Sequence, residues 1–160
     1  MSSKKTVFST LYETMRYYHS SHEKQLLSMQ QQCKQIKTIA DLHRLASDIH
    51  MFSYYLHNHH TIEDQRIFPK IARKTDISHL ETHHAQLSQI LIEFNNLSSR
   101  LKQLKTLDEN TKTIIIDATE LVDRVSKLVN EHERAEEQVI SPDNMRKLFT
   151  ESEMKQLFSL

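Results

Sequence analysis

The sequence contains no glycine, no tryptophan and only two prolines among its 160 residues. Glycine and proline are the residues that most often build the turns and bulges of sheet proteins. Their scarcity argues against a β-sheet protein and favours long helices joined by short polar connections. The length suits one domain with a substantial core, so we expect a single domain over 1–160, with a bundle at about 6–142 and a tail at 143–160.

The sequence also lacks an excess of charge of either sign. Lys plus Arg and Asp plus Glu both number 21, so the formal net charge is zero, and no long basic run is present. Nucleic acid is therefore a poor candidate for a partner. The lone cysteine, Cys33, can form neither an internal disulfide nor a cysteine-based zinc site, which fits a reducing compartment.

No stretch of the sequence suggests a membrane protein. No apolar run approaches the roughly 18 residues that a membrane-spanning helix needs. The first 19 residues contain lysine but no apolar segment of the kind that signal peptides carry. We therefore expect a soluble, cytoplasmic protein, either a monomer or a weak oligomer, that binds neither membranes nor nucleic acid.

Apolar residues recur at helical spacing along four long segments. The predicted helices span 6–34, 39–68, 78–104 and 109–140, with boundaries uncertain by ~2–4 residues. Capping-box patterns mark the chain breaks at Thr38–Asp41, Ser78–Glu81 and Thr106–Glu109, and a further one at Thr150–Glu153. Short connections place successive helices side by side, so we expect an all-α, antiparallel up-down-up-down four-helix bundle with a short C-terminal extra helix.

One short pattern occurs twice, as HHTIEDQRIFP from His59 and as HERAEEQVISP from His132. Each copy places a glutamate four residues after its histidine, at Glu63 and Glu136. Each copy also ends in a proline, where the missing N–H group is expected to stop the helix. The repeat predicts that two helices present the same pair of side chains.

Each predicted helix carries a histidine on its apolar face, namely His22, His59, His84 and His132. One such histidine is usually a core residue that hydrogen-bonds to a neighbour, and the two side chains of one His-x-x-x-Glu pair can simply bond to each other. Four of them with two core-facing glutamates need partners, because an unpaired buried carboxylate costs several kcal/mol. A dry hydrogen-bond network or a metal site would supply them. Counted from the helix ends, His59, His84 and His132 lie at one level to within about a turn, and His22 fits less tightly; this agreement favours a metal.

The number of candidate ligands indicates more than one ion. Four histidines and two glutamates exceed the set that one tetrahedral zinc ion takes, whereas carboxylates can bridge two iron ions. A ferritin-like site is excluded by spacing, because Glu-x-x-His occurs at Glu81–His84 with no copy on the fourth helix. The candidate ligands are His22, His59, Glu63, His84, His132 and Glu136.

These stretches resemble the hemerythrin-like family. HNHHTIEDQRIFP and NEHERAEEQVISP are similar to the two HHE cation-binding halves of that family, and LETHHAQL and YHSSHEKQLL are similar to its single-histidine helices. The resemblance covers about 8–142. It implies a four-helix bundle around a non-haem di-iron centre, with two iron ions bridged by an oxo or hydroxo group. It also implies the same six ligands, and O2 or NO as the small ligand.

The sequence departs from the oxygen-carrying hemerythrins, which use five histidines. Those proteins have His-x-x-x-His on the third helix and His-x-x-x-x-Asp on the fourth. Here His79 and His83 have the third-helix spacing but lie one position off the apolar face, and Glu137 stands in place of the aspartate. The fifth histidine is therefore open between His79, His83 and none, and His83 and Glu137 are alternate ligands or neighbours of the ligands.

Helix direction predicts what surrounds the centre. Tyr18 should lie beside the bridging carboxylates and hydrogen-bond one of them, with a water-facing hydroxyl group as an equal alternative. His19 is the alternate to His22, while His60 and Asp64 should contact the ligands or face solvent. On the other side of the ions, we expect a pocket wall of Leu26, Tyr55, Leu87 and Leu128.

Three functions fit these residues. The leading hypothesis is a non-catalytic di-iron protein that binds or senses O2 or NO, or that handles iron. The alternatives are a di-iron enzyme that activates O2 or peroxide, and a helical interaction module whose site is degenerate or holds another metal. No further acid–base pair in the sequence marks an enzyme. The tail is expected to cap the bundle, or alternatively to bind a partner helix.

Overall fold

The computed structural model describes residues 6–158, and every regular element in that range is helical. A π-helical segment, Glu63–Ile67, joins α2 directly to α3. The α-helices are α1 Val7–Gln35, α2 Ile39–Ile62, α3 Phe68–Ile71, α4 Ser78–Gln103, α5 Glu109–Val139, α6 Pro142–Leu148 and α7 Glu151–Phe158. The all-α prediction is confirmed. None of the helices in the described range is both long and apolar enough to cross a membrane.

The predicted second helix is interrupted and runs on beyond its expected end. Pro69 was expected to stop it, but Pro69 lies in the first turn of α3, which continues to Ile71. Proline is tolerated there because the first turn of a helix has no intrahelical partner for its N–H groups. Pro142 likewise lies at the start of α6, a short helix that the sequence did not predict.

Two of the four predicted capping boxes are confirmed and two are wrong. Thr38 caps α2 reciprocally with Asp41, and Thr150 exchanges hydrogen bonds with Glu153 at the start of α7. At α4 the carboxylate of Asp76 instead accepts from the Ser78 N–H group, and at α5 the cap is Asp108, paired with Thr111. A carboxylate near a helix start accepts from the free N–H groups, and its charge also interacts favourably with the helix dipole.

The four long helices enclose two apolar clusters rather than one. α1 packs on α2 and α5, and α4 packs on the same two helices. The larger cluster includes Phe52, Phe94, Val122 and Val125. The smaller cluster lies under the tail and includes Met15, Phe68, Leu80, Ile140, Met145, Phe149 and Met154. The described part of the tail, up to Phe158, therefore packs over this end of the bundle, as expected for a capping role.

The two clusters are separated by a polar layer. Along α1, Met15 belongs to the smaller cluster and Leu26 to the larger one. Between them lie the buried side chains of His19 and His22. The same order holds on the other three long helices, where buried histidine or glutamate falls between the two apolar groups. The fold thus brings the histidine-bearing turns to one level.

Candidate metal centre

Seven side chains of the polar layer form two overlapping groups. Within each group, one ligand atom from every residue lies within 4.8 Å of the others. The first group is His60, Glu63, His84 and His132, and the second is His19, His59, Glu63 and Glu136. Glu63 belongs to both groups, which is the arrangement expected of two neighbouring cations that share a carboxylate.

The π-helical segment positions the shared glutamate. The Phe68 N–H group donates to the Glu63 carbonyl, which widens the turn and reduces the angle between successive side chains. Glu63 and Asp64 consequently both reach α4. Glu63 Oε2 lies 3.2 Å from His84 Nε2, and Asp64 Oδ1 lies 2.7 Å from His84 Nδ1. The irregular turn therefore lets two consecutive acids contact opposite sides of one imidazole ring.

The carboxylates of Glu63 and Glu136 are fully buried, and none of their oxygens accepts a hydrogen bond from the described residues. Nitrogen atoms are nevertheless close. His59 Nε2 is 2.7 Å from Glu63 Oε1, and His19 Nε2 is 3.3 Å from Glu136 Oε2, without hydrogen-bond geometry. Buried carboxylates without donors are costly. Nitrogen and oxygen atoms that converge without bonding to one another fit ligand atoms that face a common cation.

Three of the five imidazole groups are held in the neutral form that metals bind. Burial lowers the pKa of His59 to about 4. Burial and the neighbouring His84 ring also lower the pKa of His60 and of His132. These three rings are therefore neutral at neutral pH, and each has a lone pair available for a cation.

The carboxylates disfavour each other in the absence of a cation. Burial and the nearby charge of Glu136 raise the pKa of Glu63 to about 8. Burial disfavours a charge on His19 as well, but the adjacent carboxylates, with Glu136 foremost, outweigh burial and raise the pKa of His19 to about 9. A cation bound between the two glutamates would compensate their charge and replace the proton on each group.

Two further carboxylates orient the ligand rings from outside the groups. Glu137 Oε1 lies 2.9 Å from His19 Nδ1, and its other oxygen accepts from Arg16 Nη1 at 3.0 Å. Asp64 holds His84 Nδ1 in the same way. A carboxylate on Nδ1 fixes the ring and leaves Nε2 to face the centre, as is common around metal sites. Glu137, an alternate ligand in the sequence-based prediction, thus contacts a candidate ligand.

His22 lies outside both groups, although the sequence favoured it as the ligand from the first helix. Its Nδ1 atom is 2.7 Å from Glu133 Oε1, both side chains are buried, and its ring centroid is 5.0 Å from that of His59. His19, the alternate, supplies the α1 member. The two histidines are three residues apart on one buried face, so spacing alone does not separate them. Glu133, a buried acid that needs a partner, was the missed signal.

His60 joins the first group, although the sequence placed it outside the ligand set. Its ring stacks on His84 with centroids 4.1 Å apart, and His84 Nε2 lies 2.9 Å from His132 Nε2. Of the expected candidates for a fifth histidine, His79 is exposed. His83 packs against His132 with ring centroids 5.8 Å apart and lies outside both groups. The adjacent pair His59–His60 was the available signal.

The expected surroundings of the centre are only partly as predicted. Tyr18 makes no hydrogen bond to Glu63 or Glu136, since it is 48% exposed and those carboxylates accept none. Leu26 and Leu87 are buried in the larger cluster, and Leu128 packs against that cluster. Helix level was predicted well, but the direction of each side chain around its helix was not.

An open cavity reaches the centre from the groove between α1 and α2. Its volume is about 560 Å³, and His59 and Glu63 of the second group line it. Tyr18 and Tyr55 also line it, so Tyr55 is the one member of the predicted pocket wall found there. The centre is therefore accessible from one side through a largely apolar passage.

Comparison with known proteins agrees with this arrangement. The model of the Hemerythrin HHE cation binding domain matches residues 10–143, which include all seven members of the two groups. A search of curated proteins and a search of solved structures found no match. The match covers most of the chain, and we conclude that the chain belongs to the hemerythrin HHE cation-binding domain family.

Proposed function

We propose that the chain is a non-haem di-iron protein that binds O2 or NO, or that handles iron. The single observation that carries this proposal is the set of buried, unpaired oxygens on Glu63 and Glu136, which lie among the imidazole nitrogens of the two groups. Five imidazoles and two carboxylates exceed the needs of one ion. The mixed nitrogen and oxygen donors suit iron.

The two groups suggest how the ligands divide between two ions. One ion would be held by His60, His84 and His132, and the other by His19 and His59, with Glu63 shared. Glu136 is assigned as a second shared carboxylate. Its Oε2 atom lies 3.3 Å from His19 Nε2 and 3.8 Å from His132 Nε2, which supports contact with both sides.

We also infer that the four long helices form one antiparallel, up-down-up-down domain. The order of contacts supports this topology. Arg16 of α1 meets Glu137 of α5, whereas Gln30, later in α1, meets Asp123, earlier in α5. The other neighbouring helices show the same reversed order of contacts. The contacts are Gln32–Asp48 and His19–His59 between α1 and α2. Between the second helix and α4 they are Ser98–Ala46 and His84–Asp64, and between α4 and α5 they are Arg124–Glu93 and His132–His84.

Two iron ions in this site would supply reversible electron transfer and open coordination positions for a small ligand. The residues of the chain around the ions would limit water and fix the orientation of the ligand rings. The apolar clusters on both sides of the layer limit water. Glu137 and Asp64 fix the orientation of the His19 and His84 rings. We propose the cytoplasm as the compartment, because the buried free thiol of Cys33 fits a reducing environment.

A second function, a di-iron enzyme acting with O2 or peroxide, is favoured by one observation. The apolar cavity between α1 and α2 is larger than a diatomic ligand requires and reaches His59 and Glu63. Turnover separates the two functions. A binding protein forms an adduct that returns to its starting state, whereas an enzyme consumes O2 or peroxide continuously.

Metal analysis of protein purified without added metal tests the main proposal. We expect two iron ions per chain and an absorption spectrum in air with ligand-to-iron charge-transfer bands. A preparation that contains no iron, and that fails to take up ferrous iron added without oxygen, would overturn the proposal. A single ion per chain after that addition would overturn the di-iron assignment.

A further inference from the structure

The cavity between α1 and α2 is too large for a diatomic ligand alone. Its volume is about 560 Å³. A water molecule occupies roughly 30 Å³ in the liquid, whereas sites for small organic molecules measure roughly 300–1,000 Å³. The cavity therefore has the size of a binding site for an organic molecule.

The walls of the cavity favour an aromatic occupant. Tyr17 and Tyr18 contribute rings from α1, packed edge to face with centroids 5.7 Å apart, and Tyr55 contributes a ring from α2. The exposed fractions of Tyr55 and Ile62 are both 51%, although both side chains border the cavity. Rings gain from edge-to-face or offset contact with another ring. An aromatic molecule in the cavity would cover these exposed surfaces.

One side chain that lines the cavity, His22, has a ring nitrogen without a hydrogen-bond partner among the described residues. His22 lines the cavity and is only 4% exposed, and its Nδ1 atom lies 2.7 Å from the buried carboxylate of Glu133. The Glu133 carboxyl group engages Nδ1, so Nε2 is the ring nitrogen left to hydrogen-bond an occupant of the cavity. No hydrogen bond of the described residues engages Nε2. A hydroxyl group, which both donates and accepts hydrogen bonds, is complementary to this nitrogen in either role.

The described side chains around the cavity offer no basic partner to an anionic head group. The described residues that line it include no lysine or arginine. The acids nearest its floor are Glu63 and Glu133, and both are buried. A carboxylate or phosphate on the occupant would find no lysine or arginine to pair with among the described residues of the lining, which is unfavourable in a partly dry environment. A neutral hydroxyl group meets no such penalty.

We propose that this cavity binds a small neutral phenol, with its ring between the tyrosines and its hydroxyl group hydrogen-bonded to His22 Nε2. This site lies beside His59 and Glu63, so the inference deepens the proposed function by naming a class of organic ligand or substrate. The inference depends on the proposed function only in that two ions would then lie beside the hydroxyl group. The shape, the tyrosine walls and the His22–Glu133 pair do not depend on them.

Calorimetric titration of phenol into the full chain tests the site, with the metal content measured on the same sample. We expect saturable binding at one site in the wild type. Ser21→Phe, at an exposed position that lines the cavity, should weaken binding by roughly tenfold or more, because the new ring occupies the space. Ser88→Phe makes the same change at an exposed position on α4 outside the cavity, and it should bind like the wild type.

Comparison of phenol with toluene tests the hydrogen bond to His22. Toluene is similar in size and more apolar, so an apolar hole alone would favour it. We expect phenol to bind more tightly to the wild type, and toluene to bind at least as tightly as phenol to the double variant His22→Leu, Glu133→Leu. The double change leaves neither residue buried without its hydrogen-bond partner. Replacing both partners of a buried pair by apolar groups of similar shape can leave the stability nearly unchanged.

Several results would overturn the inference. These are the absence of saturable phenol binding to the wild type, equal binding to Ser21→Phe, and tighter binding of toluene than of phenol to the wild type. The metal proposal is tested by a separate measurement, the iron content of the same sample. Phenol binding without iron would leave this inference standing, and iron without phenol binding would leave the metal proposal standing.

Discussion

Glu63 is the residue on which both ligand groups depend, because it is the one member they share. Its position follows from a doubled His-x-x-x-Glu pattern that is visible in the sequence. The sequence also proposed His59, His84, His132 and Glu136 by helical spacing and level, and the structure places them in the two groups. It missed His60 and ranked His22 above His19, because neighbouring positions on one buried face differ only in the exact direction of each side chain.

Under the proposed di-iron assignment, replacement of Glu63 should affect both ions. Glu63→Gln keeps the size of the side chain but removes the charge, so we expect less than one iron ion to remain per chain. Glu131→Gln, at an exposed position on α5, should keep the wild-type content. Metal analysis after identical purification measures this, and a Glu63→Gln variant with the full wild-type iron content contradicts the shared-ligand assignment.

His19 and His22 form a matched pair that separates a ligand from a neighbour. His19 lies in the second group, whereas His22 is engaged by Glu133. His19→Gln should therefore lower the iron content, and His22→Gln should retain two ions. Circular dichroism would verify that both variants fold. The opposite pattern, with iron lost only from His22→Gln, would restore the assignment that the sequence favoured.

At the scale of the elements, the sequence predicted where the long helices lie but not where they are irregular. The apolar spacing predicted all four long helices, with ends near those of α1, α4 and α5. The π-helical segment Glu63–Ile67 left no signal in local sequence. Its wider turn is stabilised by contacts to α4, which propensity and spacing within one helix do not encode.

The last helix is held at its start by a carboxylate, which gives a pH dependence with a definite sign. Backbone donation from Thr150, with the Lys74 side chain, lowers the pKa of Glu153 from 4.5 to about 2. A lowered pKa in the folded state contributes stability above pH 4.5, and that contribution is lost as the pH falls through about 2. The site is exposed, so the effect is small and salt-sensitive.

Glu153→Gln should therefore unfold at a lower urea concentration than the wild type at neutral pH. This difference should narrow as the pH falls from 4.5 towards 2, because the wild-type carboxylate is then protonated. Glu151→Gln, an exposed neighbour in the same turn, serves as control and should shift little. A difference that stays constant down to the lowest pH at which the protein folds contradicts this role.

At the scale of the whole molecule, the polar layer divides the interior. Apolar clusters lie on either side of a plane of buried histidines and glutamates. Without cations that plane holds unpaired carboxylate oxygens, which oppose folding. Binding of the ions and folding of the bundle should therefore be coupled.

Removal of the metal should lower the thermal stability of the whole chain. A metal present at a hundredfold excess over its dissociation constant stabilises the folded state by about 2.7 kcal/mol. For a protein of this size, such a change corresponds to roughly 5–10 °C in Tm. Calorimetry with and without a chelator measures the shift, and returning iron should reverse it. Glu63→Gln should show little response, and equal responses of variant and wild type contradict the coupling.

The most direct test of the central claim is a crystal structure of iron-loaded protein with an anomalous difference map recorded at the iron absorption edge. The account predicts two peaks inside the bundle, with the Glu63 carboxylate between them. One peak should lie against His60, His84 and His132, and the other against His19 and His59. A map with no interior peak, or with iron bound only at the surface while the seven side chains contact one another, would contradict it.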